Sequence, residues 1–233
     1  MDKEALRIGG LTSLTSLDYP GELAAVIFCQ GCPWRCAYCH NQHLLPSDSA
    51  STIPWGQIEA FLERRQGLLD AVVFSGGEPT LQHALPAALG QVKGMGFKIG
   101  LHTAGIYPER LWVLGPLLDW VGLDIKALPE DYPAVTGAAG AGERAWRSLR
   151  LLVATGVSLE VRTTLPPDWR LARGMETLMR RLADAGVQDY ALQTHRATHP
   201  RHEAPRTPGF PTPPPPETYA KLGEALFRRF VLR

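Results

Sequence analysis

The sequence predicts an α/β fold built on a parallel sheet, and three observations carry that prediction. Short apolar runs alternate with helical patterns six times along the chain. The runs are mostly continuous rather than alternating, as strands covered on both faces are. The unusual polar residues follow the runs instead of interrupting them.

The first run, AAVIFC, is Ala24–Cys29. IPWGQIEAFLERRQG, at 53–67, reads as a helix with Trp55, Ile58, Phe61 and Leu62 on one face and Gly67 as its stop. The second run is AVVFS at 71–75, the third KIGLHT at Lys98–Thr103 and the fourth WVGLDI at 120–125. SLEVRTT at 158–164 is the fifth and YALQT at 190–194 the sixth. Helices are expected around Leu85, Leu89 and Val92, near 109–114, near 144–155 and near 171–185, the last two stopped by Gly156 and Gly186. Right-handed crossovers then place the helices outside a parallel sheet. Six such units suit an open doubly wound sheet or an incomplete barrel, and periodicity does not choose between them.

Beyond position 195 the rhythm ends. THPRHEAPRTPGFPTPPPPETY is dense in proline and reads as a surface connector over 196–216, leading to a last helix over 217–230. The expected organisation is one domain over 1–233, with its core at 18–195.

The 233 residues are 45% hydrophobic and 20% charged, ordinary for a globular protein, and the net charge is +1. That balance gives no electrostatic footprint for nucleic acid or an anionic membrane, and neither partner is expected. No apolar run reaches the roughly 18 residues of a membrane span. The opening MDKEALRIGGLTS lacks the basic-then-apolar pattern of a secretory signal, so the expected compartment is the cytoplasm. Thiols stay reduced there, and clustered cysteines read as metal ligands or catalytic groups rather than disulfides.

Chemistry in parallel α/β folds sits beyond the carboxyl ends of the strands. After the first run comes a cysteine loop, and after the second SGGEPT, with Gly76, Gly77 and Glu78. HTAG, with His102 and Thr103, ends the third, and DIK, with Asp124 and Lys126, ends the fourth. The fifth carries Arg162, Thr163 and Thr164, and His195 follows the sixth. Each has a bland reading: a tight turn at the glycines, an ion pair between Asp124 and Lys126, a surface Arg162, a turn at His195. Together on one rim beside a metal loop, they point to a site.

All four cysteines lie between positions 29 and 39. Cys32, Cys36 and Cys39 read C-x3-C-x2-C, and Cys29 stands outside the pattern. A Cys3His zinc site with His40 or His43 is one reading, and a four-thiolate cluster using Cys29 is another. Cys29 ends a strand, however, and its side chain need not face the loop. Three thiolates hold a [4Fe–4S] cluster on three irons and leave the fourth iron open to a chelating ligand.

C-x3-C-x2-C after the first strand, followed by SGGEP, resembles the radical S-adenosylmethionine (SAM) enzymes. LTSLDYPGELAAVIFCQGC, FSGGEPTLQ, GFKIGLHTAG, LDIKA and RTT resemble the subgroup that activates glycyl radical enzymes, most closely the anaerobic ribonucleoside-triphosphate reductase activating proteins. Pyruvate formate-lyase activases are a sibling group, and 7-carboxy-7-deazaguanine synthase is a compact relative with a small-molecule substrate. The resemblance implies a partial (β/α)6 TIM-like barrel of the radical SAM type. It implies a [4Fe–4S] cluster on Cys32, Cys36 and Cys39, with SAM chelating the open iron. Reductive cleavage of SAM would yield a 5′-deoxyadenosyl radical, which takes a hydrogen from a glycine of a partner glycyl radical enzyme.

By the same resemblance Gly76, Gly77 and Glu78 bind the SAM amino group and Lys126 its carboxylate, with Asp124 beside it. Tyr38, His40 and His195 surround the adenosyl moiety, the segment Thr15 to Gly21 lies near the cluster, and Cys29 is the spare. Related activases read DTNG after the third strand, and some hold a monovalent cation with that Asp. Here the stretch is HTAG, so no cation site is expected and His102 becomes a candidate contact for the SAM carboxylate. The chain has no second cysteine cluster, which implies an external electron donor, flavodoxin or ferredoxin.

Overall fold

The computed structural model describes residues 5–48, 52–165, 174–195 and 214–233. Most of the connector expected at 196–216, and the start of the helix expected at 171, lie outside these residues. The chain divides into two compact units, one of residues 1–33 and 41–122, the other of residues 34–40 and 123–233. Strand β5 (Trp120–Asp124) belongs to both, its first three residues to one unit and its last two to the other.

In the first unit the order is β1 (Ile8–Thr15), β2 (Ala24–Cys29), α1 (Trp55–Glu63), β3 (Ala71–Gly76), α2 (Leu85–Gly94), β4 (Lys98–Thr103) and α3 (Pro108–Leu114). β2, β3 and β4 are parallel neighbours, as the continuous apolar runs predict. The Asp119 amide donates to the Ile99 carbonyl at 2.9 Å and brings β5 in beside β4. β1, which periodicity did not predict, runs antiparallel to β2. Its sequence IGGLTSLT is only half-buried and carries two glycines, so it lacks the apolar run that marks the others.

The turn Asp-Tyr-Pro-Gly after β1 closes with the Glu22 amide donating to the Tyr19 carbonyl at 3.1 Å. It drives the Tyr19 ring into a core of Ala24, Val26, Ala71, Val73 and Trp120. There the ring stacks on Trp120 at 5.0 Å. Gly100 makes room for it, because a Cβ would stand 3.0 Å from both the Tyr19 ring and Val73.

In the second unit, β5 leads to α4 (Tyr132–Thr136), α5 (Ala141–Thr155), β6 (Ser158–Leu165), α6 (Met175–Asp184), β7 (Asp189–Thr194), α7 (Ala220–Leu226) and β8 (Arg229–Leu232). β6, β7 and β8 are parallel neighbours. The Ile125 amide donates to the Arg162 carbonyl at 2.9 Å, which sets the end of β5 beside β6. α5 buries Ala145, Trp146, Leu149 and Leu152, and Gly156 ends it in the left-handed region at φ 71°.

The helix expected over 217–230 is replaced by a 3-10 turn at Pro216–Tyr219, the short α7, and then β8. Phe227 turns extended at φ −118°, ψ 145°. Its ring packs 4.7 Å from Tyr190, and Phe230 follows at 5.9 Å. Gly223 lies directly under Phe230, where a Cβ would stand 2.4 Å from the ring. Aromatic burial and pairing to β7 outweigh the helical periodicity here. Among the described residues no helix is long and apolar enough to cross a membrane.

Candidate active site

The four cysteines separate by burial. Cys29 is completely buried at the end of β2, while Cys32, Cys36 and Cys39 are partly exposed. Burial pushes the Cys29 thiol pKa up, the nearby Glu78 carboxyl adds to the rise, and Arg7 only partly opposes it. Cys29 is therefore a neutral thiol packed as a small apolar residue.

In the first unit, Cys32 stands where the loop leaves β2. Its amide donates to the Leu45 carbonyl at 3.1 Å, and the Gly31 amide to that of Leu44 at 2.7 Å. Gln30 ties the returning segment of the loop by donating to the carbonyls of His43 at 3.0 Å and Pro46 at 2.6 Å. Beside this lies the Gly-Gly-Glu turn that follows β3. Glu78 is fully buried, and its carboxylate accepts from the Thr80 amide and hydroxyl, the Thr103 hydroxyl and the Ala104 amide. Burial raises its pKa, and these four donors oppose the rise.

His102 takes a different place. Its Nε2 lies 2.8 Å from the Asp18 carbonyl and donates to it, and the ring meets Trp120 edge-on at 5.5 Å. It thus braces the segment that precedes β2.

In the second unit, residues 34–40 of the cysteine loop lie along the end of α4. The Arg35 amide donates to the Thr136 carbonyl and the Ala37 amide to that of Val135, both at 3.0 Å. Trp34 is buried against Tyr132, edge to face at 5.8 Å. This docking sets Cys36 and Cys39 beside the end of β5. Lys126 forms an ion pair with Asp124 at 3.1 Å, with side-chain exposures of 13% and 40%. Burial alone would lower the Lys126 pKa, but Asp124 and then Cys36 reverse that and hold it well above its ordinary value. Burial raises the Cys36 thiol, and the Lys126 ammonium opposes that rise. Lys126 thus remains a cation and favours a thiolate at position 36.

Tyr38, between these two cysteines, points inward and is 7% exposed. Among the described residues its hydroxyl is buried and has no hydrogen-bond partner. Burial raises its pKa, Lys126 opposing, so it is a neutral donor in need of an acceptor. His40 stacks on His195 at 5.2 Å, and Tyr38 meets His195 edge-on at 6.2 Å. The three aromatic rings singled out in the sequence therefore come together.

Sequence reasoning missed Glu160 and Arg233. Glu160 is 2% exposed and accepts from Arg162 Nε at 2.9 Å and from both terminal nitrogens of Arg233, at 2.8 and 2.9 Å. Arg162, which could have been a surface residue, is instead buried and paired. Alternation along β6 puts Glu160 and Arg162 on one face, a signal present in SLEVRTT.

Among the described residues no three His, Cys, Asp or Glu side chains converge as a single metal ion requires. A four-iron cluster binds each thiolate on its own iron, and its soft sulfur donors are those of the cysteine loop. The donor set, a cation beside Cys36 and an unsatisfied buried hydroxyl fit a cluster with a polar ligand against it.

Residues 26–180 match the Radical SAM superfamily. A candidate glycyl-radical enzyme activating enzyme of Methanocaldococcus jannaschii is 30% identical over 194 residues, 80% of this chain and 78% of that protein. The pyruvate formate-lyase-activating enzyme of Clostridium pasteurianum is 31% identical, with 69% of each chain covered. The 7-carboxy-7-deazaguanine synthase of Thermococcus kodakarensis is 26% identical over 68% of this chain and 70% of its own. The crystal structure of Streptococcus suis SuiB bound to S-adenosylmethionine shares the fold, with a TM-score of 0.64 and 12% identity, over 88% of this chain and 48% of that one. Iron–sulfur and SAM binding are general to the superfamily, and the α/β fold with its parallel sheet is the partial barrel that the motifs imply. The chain belongs to the Radical SAM superfamily and, within it, to the family of glycyl-radical-enzyme activating enzymes.

Proposed function

We propose that this protein activates a glycyl radical enzyme, with anaerobic ribonucleoside-triphosphate reductase as the first candidate partner. Cys32, Cys36 and Cys39 would hold a [4Fe–4S] cluster and leave its fourth iron to SAM. When bound, cluster and SAM would supply, on one-electron reduction and with release of methionine, a 5′-deoxyadenosyl radical able to take a hydrogen atom from a glycine of the partner and leave as 5′-deoxyadenosine. The observation that carries this reading is the contrast among the cysteines: three partly exposed in one loop, the fourth sealed and neutral in β2.

Lys126, aligned by Asp124, would neutralise the SAM carboxylate. The turn at Gly76, Gly77 and Glu78 would receive its amino group. Tyr38, His40 and His195 would border the adenosyl group, with Tyr38 closing its buried side. We assign His102 to bracing the Asp18 carbonyl rather than to contacting SAM, because its Nε2 is already engaged there. The sequence has no second cysteine cluster, so the electron would come from an external donor, flavodoxin or ferredoxin, in the reducing cytoplasm.

Similarity to the 7-carboxy-7-deazaguanine synthase supports a second reading, a small-molecule substrate. One experiment separates the two. The anaerobically reconstituted, reduced protein is mixed with SAM and each glycyl radical enzyme of the source organism. A glycine-centred EPR doublet on the reductase is expected. No doublet on any partner, together with formation of 7-carboxy-7-deazaguanine from its precursor, would overturn the activase reading.

A further inference from the structure

The Gly-Gly-Glu motif, which begins at the last residue of β3, packs against the backbone that leads into the cysteine loop. Gly76 pairs with Cys29 in the sheet. A Cβ on Gly76, which has φ +119°, would stand 2.4 Å from the Cys29 backbone nitrogen and oxygen. One residue on, a Cβ at Gly77 would stand 2.3 Å from the Gly31 carbonyl oxygen and 3.0 Å from that of Leu44. Both glycines therefore make room for protein backbone, namely the segment that leads into Cys32.

Hydrogen bonds fasten what the glycines admit. The Gly77 amide donates to the Cys29 carbonyl and the Glu78 amide to the Gly31 carbonyl, both at 2.9 Å. Gly31 and Cys32 donate onward to Leu44 and Leu45. The backbone from Gly31 to Cys32 is thus held between the motif and the returning segment of the loop at Leu44 and Leu45. The Glu78 side chain anchors the motif in turn. Three of its donors, the Thr80 amide and hydroxyl and the Thr103 hydroxyl, converge on Oε1, and the Ala104 amide reaches Oε2. Thr103, which supplies one of them at 2.7 Å, lies on β4, away from the cysteines in sequence.

We propose that Gly76, Gly77 and Glu78 form a clasp that positions Cys32, so that disturbing it costs cluster retention before it costs SAM affinity. The proposal rests on the cluster reading above. Gly77 and Glu78 act here as positioning residues, through the backbone of Gly31 and Cys32.

The parent, Gly77→Ala and Thr103→Val proteins are reconstituted anaerobically. Iron per chain after a chelator challenge, the EPR spectrum of the reduced cluster, and SAM affinity per bound cluster are then measured. Gly77→Ala is expected to weaken iron retention by about tenfold or more and to alter the EPR spectrum, with a smaller loss of SAM affinity per bound cluster. Thr103→Val removes one Glu78 donor and is expected to shift both readouts the same way by less. Full iron retention and a parental spectrum in both variants, with SAM affinity lost, would overturn the clasp. Where Gly77→Ala does not fold, Thr103→Val decides alone. A parent protein that takes up no iron would instead overturn the cluster reading itself.

Discussion

Tyr38 places a buried hydroxyl where none of the described residues bonds to it. An unsatisfied buried polar group costs about 1–3 kcal/mol. Tyr38→Phe is therefore expected to raise the unfolding free energy of the cluster-free protein by about 1 kcal/mol, measured in urea. In the loaded enzyme the same change is expected to weaken SAM binding about fivefold, the worth of one neutral hydrogen bond. Lys126→Met removes a charge-assisted contact, and SAM affinity is expected to fall by about tenfold or more in a binding titration. At this scale the sequence was informative wherever chemistry depends on local spacing. C-x3-C-x2-C and the alternation of Asp124 with Lys126 are local patterns. The engagement of His102 with Asp18, and of Glu78 with Thr103 and Ala104, joins residues far apart in the chain and could not be read from spacing.

The elements that periodicity found are those buried on both faces, β2 to β7. The two it missed, β1 and β8, are only partly buried and carry no long apolar run. β8 matters because Arg229 and Arg233 bring guanidinium groups to Glu160, where Arg162 already donates. Glu160→Gln removes the buried carboxylate charge that Arg162, Arg229 and Arg233 share, and a loss of about 3 kcal/mol in unfolding free energy is expected in urea denaturation. Gly223→Ala tests the packing of α7 under β8. A Cβ there meets the Phe230 ring, and overpacking is expected to cost about 1–3 kcal/mol in the same assay.

At the scale of the whole molecule, each compact unit holds part of the cysteine loop. Cys32 belongs to the first, where the glycine turn holds the carbonyls of Cys29 and Gly31 just before it, and Cys36 and Cys39 to the second, where α4 holds the amides of Arg35 and Ala37. The order of alternating runs gave the α/β class, and the cysteine and glycine motifs narrowed it to a radical SAM barrel. The identity of the partner has no comparable signature, because a docking surface needs no fixed residue spacing.

The central claim is that three cysteines carry the cluster chemistry and the fourth does not. Alanine is placed at each of the four in turn, and bound iron and 5′-deoxyadenosine formed under reduction with SAM are measured anaerobically. The account predicts that Cys29→Ala keeps about four irons per chain and cleaves SAM, while Cys32→Ala, Cys36→Ala and Cys39→Ala do not cleave it. A Cys29→Ala protein as inactive and iron-poor as the other three, yet still folded, would contradict it.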